Sequence, residues 1–205
     1  MGIQFTIKGV EAKVIIIEGM DGSGKTILAQ QLSLRLGNVP IKRFVTSGGP
    51  TNYDLLVEST KAALMNLHNQ VTQNQRPAVI YDRFPLISEP VYGTILRGRN
   101  RFDDEWTTLI DLLLALDPIV VYCRPKIEFI MQNIRETADN QIEGVVSRAL
   151  ELITAYDELI SWLQVKAHRL RSGRILVYSY DTDGVRDVEA EIRRIYREQG
   201  VTIHG

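Results

Sequence analysis

The chain has 205 residues, 44% hydrophobic and 24% charged, the balance expected of one globular domain large enough to bury a sizeable core. Twenty-four Lys and Arg against 25 Asp and Glu leave a net charge of −1, which excludes a global field steering the protein onto nucleic acid or an anionic membrane. A single cysteine, Cys123, excludes an intramolecular disulfide and points to a reducing compartment, and no apolar run reaches the roughly 18–20 residues of a membrane span.

In chain order, Ile3-Gln4-Phe5-Thr6-Ile7 alternates and is expected as an edge strand. This opening stretch has no basic segment leading into a long apolar one, so no secretory signal is read in it and a cytoplasmic location is expected. Gly2 and Thr6 formally fit a myristoylation pattern, but Phe5 and Ile7 read as strand residues. Continuous apolar, β-branched runs follow at Val14–Ile17, Ile41–Thr46, Ala78–Tyr81, Ile119–Tyr122 and Ile175–Tyr178. Between them lie segments with helical spacing: after Ile27, over Asp54–Asn69, from Trp106 to Leu114, over Val145–Leu170 and over Val185–Tyr196. Strands alternating with helices predict βαβ units and a parallel sheet, and cover on both faces explains why the strands do not alternate. The expected architecture is one α/β domain over residues 1–205, a five-stranded parallel sheet flanked by helices in three layers. Ligands of such sheets sit beyond the carboxyl ends of the strands, so chemistry is expected just after each run. Cys123, inside the fourth apolar run and its continuation, reads as a small core residue rather than a nucleophile.

The first run leads into Gly19-Met20-Asp21-Gly22-Ser23-Gly24-Lys25-Thr26, a full match to GxxxxGK[ST] in the right context, strand before and helix after. Glycines let backbone N–H groups turn inward as an anion nest, and the following helix aims its positive end at the phosphates. Lys25 supplies a full charge to the β and γ phosphates, and Thr26 offers a hydroxyl to Mg²⁺. These eight residues are the expected ATP site, with ATP and Mg²⁺ as cofactors. The loop alone does not separate kinase, ATPase and GTPase, although no NKxD-type guanine signature occurs.

Asp82-Arg83 follows the third run and falls at the carboxyl edge of the sheet beside the loop. Arg83 is placed to reach the transferring phosphoryl and an acceptor oxygen together, and Asp82 to hold Mg²⁺ through water. The alternative is a structural ion pair between them.

Val14–Thr26, a strand followed by EGMDGSGKT, resembles the thymidylate kinase family, whose loop runs EGxDGxGK[ST]. Val79–Gly93, with Asp82-Arg83, Ser88 and Tyr92, resembles that family's DR-x-x-x-S-x-x-AYQ segment, with one residue more between Asp-Arg and Ser. The resemblance follows the order of elements over most of the chain, is strong in these two blocks, and is nearer to thymidylate-kinase-like proteins of bacterial viruses than to housekeeping enzymes. It implies a P-loop fold and phosphoryl transfer to a nucleotide acceptor. It implies that Asp21 accepts a hydrogen bond from an acceptor hydroxyl or helps deprotonate it, where an Asx turn is the plainer alternative. Glu18 orients a Mg²⁺ water or Arg83, or is structural.

Thr46–Thr51 aligns with the family's REPGGT segment. The glycine pair and threonine are kept, but Thr46 and Ser47 replace the arginine and glutamate, so Ser47 belongs to an altered acceptor pocket. Arg97, Arg99 and Arg101 bind the acceptor phosphate or a nucleic-acid backbone, or form a solvated loop. Phe84 and Tyr92 stack on an acceptor base or belong to the core. The polar stretch 135–144 falls where nucleotide kinases carry a lid, which makes Arg135 a candidate phosphate-binding lid arginine and brings Gln141 and Glu143 toward the acceptor. Tyr180–Gly184 falls where an adenine commonly packs in the family, or is a turn. Tyr156-Asp157 reads as helix-face packing, and the scattered His68, His168 and His204 give no zinc pattern. By analogy with the family, a homodimer through the helices flanking the third strand is implied.

Three readings follow. The first is a kinase moving the γ-phosphoryl of Mg·ATP to a pyrimidine deoxynucleoside monophosphate such as dTMP. The second keeps the chemistry but takes the 5-hydroxymethyl group of 5-hydroxymethyluracil in DNA as acceptor, against which the net charge argues mildly. The third is a non-catalytic nucleotide-binding module or a simple ATPase.

Overall fold

The computed structural model describes residues 13–44, 53–137, 139 and 144–198. The predicted edge strand at Ile3–Ile7 lies outside them, as do Ser47, Gln141 and Glu143. Five strands alternate with helices: β1 (Lys13–Glu18), α1 (Lys25–Arg35), β2 (Ile41–Lys42), α2 (Tyr53–Thr72), β3 (Ala78–Asp82), α3 (Pro85–Arg97), α4 (Trp106–Ala115), β4 (Ile119–Cys123), α5 (Ile127–Glu136), α6 (Ala149–Leu170), β5 (Arg174–Tyr178) and α7 (Val185–Glu198). The strands form one sheet in the order β2-β3-β1-β4-β5, and every neighbouring pair is parallel. This is the α/β sheet expected from the apolar runs. β2 is shorter than its run, because pairing with β3 stops at Lys42 and leaves Arg43 and Phe44 beyond the sheet edge.

Both faces of the sheet are covered, and alternate residues of each strand feed two separate cores. Val14, Ile16, Val79, Tyr81, Val120 and Tyr122 pack under α2, α3, α4 and α6. Ile15, Ile17, Ile80, Ile119, Val121 and Cys123 pack under α1 and α7. Each fully buried Val or Ile side chain contributes about 1.5–3 kcal/mol. Burial pushes the Cys123 thiol up to about 12, so it stays an inert core group. No described helix is long and apolar enough to cross a membrane.

Register places the site. Ile17 pairs with Asp82 across β1 and β3, so the glycine loop and Asp82-Arg83 leave the sheet side by side. α3 then starts at Pro85, a residue suited to a first turn because its missing N–H has no partner there anyway. Pro90 inside α3 cannot donate to the Leu86 carbonyl, and the Trp106 indole N–H takes that acceptor at 2.7 Å, tying α3 to α4.

Candidate active site

The glycine loop caps α1. Gly24 has φ 84°, and a Cβ there would come within 3.0 Å of the Tyr180 ring, so both backbone and space require glycine. Lys25 Nζ, 6% exposed, donates to the Met20 carbonyl at 2.5 Å. Burial, with the Arg83 charge adding to it, pulls its pKa down to about 8. The Met20 side chain is itself core. Asn133 of α5 donates to the Gly22 carbonyl at 2.8 Å and to the Tyr180 hydroxyl at 3.0 Å, seating α5 on the loop.

Thr26 Oγ1 donates to Asp82 Oδ2 at 2.8 Å, and Arg43 Nε donates to the same oxygen at 2.8 Å. Thr26 and Asp82 bring two hard oxygen donors together at the mouth of the loop, which fits Mg²⁺ completed by waters and phosphate oxygens. Arg83 has φ 70°, a left-handed conformation that costs a non-glycine residue roughly 1–2 kcal/mol and is retained where surroundings dictate it. Its Nη2 donates to Asp21 Oδ1 at 2.5 Å and to the Tyr92 hydroxyl at 3.0 Å. Tyr92 in turn donates to Asp21 Oδ2 at 2.9 Å. Burial raises the Asp21 pKa, but Arg83, Lys25 and Tyr92 outweigh it and hold the carboxyl below its ordinary value. Asp21 is therefore a fixed carboxylate acceptor, poorly matched to the work of a general base near neutral pH.

Glu18, fully buried, accepts from the Phe84 N–H at 2.6 Å and from the Tyr156 hydroxyl at 3.3 Å. It holds the backbone beside Arg83 rather than facing the cleft. Burial pushes its pKa up to about 7, against the pull of the Phe84 N–H, Arg83 and Lys25. Between its ordinary 4.5 and about 7 the folded chain holds a proton that the unfolded chain has lost, so stability falls as pH rises through this window. Glu18→Gln keeps the bond from the Phe84 N–H, turns the Tyr156 one round so that Nε2 donates to the hydroxyl, and removes that dependence. The variant is expected to match wild type near pH 4.5 and to melt higher at pH 7.5, by about 2–4 °C per kcal/mol relieved. Thermal melts across the window check this, and parallel curves for the two proteins would refute it.

Two cavities meet at this cluster. An open cleft of about 730 Å³ is lined by the loop, Arg43, Asp82, Arg83 and the end of α5. A smaller cavity of about 80 Å³ lies between α2 and α3, with Tyr53, Leu56, Ser88, Glu89, Tyr92 and Arg97 in its wall. Arg83 and Phe44 line both.

Asp21, Lys25, Thr26, Asp82, Arg83 and Tyr92, all singled out in the sequence, are brought together. Phe84 is not with them: it is wholly enclosed, edge-on to Tyr81 and Phe44 with ring centres 4.9 and 5.4 Å away, so it is a core residue and no platform for a base. Phe44 faces the cavities in its place. Arg135 is exposed on the last turn of α5 and does not line the cleft, where Asn133, Glu136 and Thr137 stand instead. The arginine loop divides. Arg97 pairs with Glu89 and lies 4.4 Å from the centre of the Tyr53 ring, Arg101 lies 5.3 Å from the same ring, and Arg99 is exposed. Asp157 accepts from the Tyr122 hydroxyl at 2.7 Å and from Arg124, which ties β4 to α6.

Sequence reasoning missed Arg43, Phe44, Tyr53, Glu89 and Asn133. For Arg43 and Phe44 a signal existed, since functional groups are expected directly after a strand, but the apolar run was read on through Thr46.

A glycine loop after the central strand of a five-stranded parallel sheet defines an α/β, P-loop-kinase-like fold. No protein-family model matches the chain, and no curated protein matches it. Among solved structures, the YorR protein of Bacillus subtilis, solved in complex with phosphorylated GDP, is similar over 94% of this chain and 100% of its own, with TM-score 0.62 and 19% identity. Deoxyadenosine kinase from M. mycoides with bound dCTP is similar over 90% of this chain and 99% of its own, with TM-score 0.54 and 20% identity. A thymidylate kinase from Candida albicans superposes more loosely, at TM-score 0.46 and 18% identity over 94% of each chain. At these identities the first two share the fold with this chain.

Proposed function

We propose that the chain is a kinase that transfers the γ-phosphoryl group of Mg·ATP to a deoxynucleotide acceptor, with a pyrimidine deoxynucleoside monophosphate such as dTMP as the first candidate. One observation carries this reading: Arg83 stands between two cavities, joined to Asp21 and Tyr92 on one side and next to Lys25 and the Thr26–Asp82 pair on the other. A simple ATPase needs the cleft but not the second cavity. Kinases among the solved structures of similar fold support the same class.

The larger cleft takes the triphosphate, with loop N–H groups and Lys25 on its oxygens. Mg²⁺, when bound at Thr26 and Asp82, supplies charge neutralisation across the β and γ phosphates. The acceptor's phosphate oxygen attacks the γ-phosphorus, and the bond to the β–γ bridging oxygen breaks, leaving its electron pair on ADP. Arg83 faces both partners and stabilises the charge spread over the transferring oxygens. Asp21 accepts from an acceptor sugar hydroxyl and fixes the distance of attack.

The test is ATP consumption against the four deoxynucleoside monophosphates, 5-hydroxymethyl-dUMP and duplex DNA carrying 5-hydroxymethyluracil. Turnover on a free monophosphate, abolished by EDTA and restored by Mg²⁺, is the expected result. Turnover on the modified DNA alone establishes the second acceptor class, and hydrolysis indifferent to every acceptor overturns the kinase reading. The seating of the half-buried Arg97 and Arg101 on Tyr53 favours the free nucleotide, because Arg99 alone of the three stands fully exposed for a nucleic-acid backbone.

A further inference from the structure

The pair of residues suited to Mg²⁺ is shared with a third side chain. Asp82, whose side chain is 6% exposed, accepts on a single oxygen, Oδ2, from both the Thr26 hydroxyl and Arg43 Nε, each at 2.8 Å. Register puts Arg43 there. Lys42 stands opposite Tyr81 in the last rung of β2 and β3, so the next residues along the two strands, Arg43 and Asp82, meet where the pairing stops. Phe44 fixes that end, its ring nearly parallel to the ring of Tyr81 with centres 5.7 Å apart. The Arg43 side chain stays 46% exposed and lines the open cleft together with Lys25, Thr26 and Asp82.

Two donors fill the lone pairs of Oδ2, so one of them has to leave if that oxygen is to serve a metal or a metal-bound water. Thr26 is suited to stay. Its hydroxyl proton is given to Asp82, which leaves its own oxygen lone pairs for the metal. Arg43 is the one to leave, because a guanidinium and a divalent cation on one carboxylate oxygen repel each other. A half-exposed ion pair is also weak enough to be surrendered. The freed guanidinium is still in the cleft that takes the triphosphate, where phosphate oxygens match its fork of donors.

We propose that Arg43 is a cation exchanged at Asp82: it neutralises the carboxylate while the cleft holds no metal, gives it up when Mg²⁺ enters with a nucleotide, and moves to the phosphates of that nucleotide. The inference rests on the larger cleft being the Mg·ATP site, as in the proposed function. It adds a coupling between the two ligands. Metal without nucleotide competes with Arg43, whereas metal with nucleotide gives Arg43 a new partner, so each raises the affinity for the other.

The test is binding to wild type and to Arg43→Gln. Mn²⁺ without nucleotide, followed by electron paramagnetic resonance, is expected to bind the variant about two- to fivefold more tightly, the range that an exposed ion pair represents. The non-hydrolysable analogue AMP-PNP in EDTA, followed by calorimetry, is expected to bind both proteins alike, because Arg43 stays on Asp82 when no metal evicts it. With saturating Mg²⁺ the same analogue is expected to bind the variant about tenfold more weakly, the scale of a lost hydrogen bond between charged groups. A merely structural Arg43 would lower the melting temperature, leave Mn²⁺ binding unchanged and weaken AMP-PNP equally with and without metal, and that pattern overturns the proposal. So does a loss that appears only once an acceptor nucleotide is added. In wild type the Arg43 Nε–H resonance, assigned by its disappearance in Arg43→Gln, is expected to move when Mg²⁺ joins the AMP-PNP complex and to keep its place with AMP-PNP in EDTA. A resonance indifferent to Mg²⁺ refutes the exchange. Absent binding of Mg·AMP-PNP by wild type overturns the ATP reading and this inference with it, whereas wild-type binding that Arg43→Gln leaves unchanged overturns this inference alone.

Discussion

Replacing Arg83 with alanine is expected to lower kcat/KM by about 10³–10⁵ while the fold survives, the scale on which phosphoryl-transfer enzymes depend on a clamping arginine. The guanidinium is the one group that touches Asp21 and Tyr92 and lines both cavities. Its removal takes away positive charge where negative charge is spread in the transition state, and it frees the acceptor-side carboxylate. The backbone gives no reason to unfold. The φ of 70° burdens arginine and alanine alike, and the Asp21–Arg83 pair is about a quarter exposed, so its loss costs less than that of a fully buried pair. Arg83→Lys keeps the charge and loses the two-pronged geometry, and it is expected to recover only a small part of the rate. Steady-state kinetics on the best acceptor of the panel, beside a thermal melt, checks both. Activity within tenfold of wild type in Arg83→Ala would remove Arg83 from the transfer centre.

Lys25→Met is expected to separate activity from stability in the opposite direction. Nucleotide-dependent turnover should fall by about 10²–10³, the cost of deleting one preorganised group on a developing charge. Stability at pH 7 should hold or rise. Lys25 is buried with a pKa near 8 against an ordinary 10.5, so the folded chain carries its charge reluctantly. From about pH 8 to 10.5 the unfolded chain binds the extra proton, and wild-type stability climbs with pH. Below pH 8 the whole penalty is present, and methionine, similar in volume and uncharged, escapes it. Melting curves without nucleotide at pH 7 and 10, paired with ATP titrations, decide the matter. A variant less stable than wild type at pH 7 would mean that Lys25 holds the loop together through Met20 and is no reserve for a ligand. A charge kept at a cost to the fold is what a binding site looks like before its partner arrives.

The element order was legible in the chain because it rests on local pattern. Apolar, β-branched runs of strand length separated by helical spacing leave little choice but a doubly covered parallel sheet, and five strands were found where five runs stand. The glycine loop was legible for the same reason, since its ability to bind an anion lies in consecutive residues and the helix they open. Arg83 was legible from its place directly after the third apolar run, and Tyr92 and Asp21 through a resemblance whose residues sit in two short blocks.

What could not be read was direction and partnership. Phe84 and Phe44 are equivalent as residue types, yet one is sealed between Tyr81 and the end of β3 while the other lines both cavities. That difference is set by where β2 stops pairing with β3. Arg43 meets Asp82 only because β2 and β3 are neighbours in the sheet, a pairing of residues far apart in the chain that no spacing rule encodes. Glu89, which carries no signal in the sequence, and Arg97, legible there only as an acceptor-binding or solvated loop arginine, stand two turns apart on α3. Glu89 is buried and Arg97 half-buried because the two pair and α2 lays Tyr53 against the guanidinium. By itself the sequence determined the layers of the fold and the phosphate-binding loop, which depend on periodicity and on neighbours along the chain. Tertiary structure decided which side chains face the acceptor, because strand order, register and packing choose among groups that local chemistry cannot tell apart.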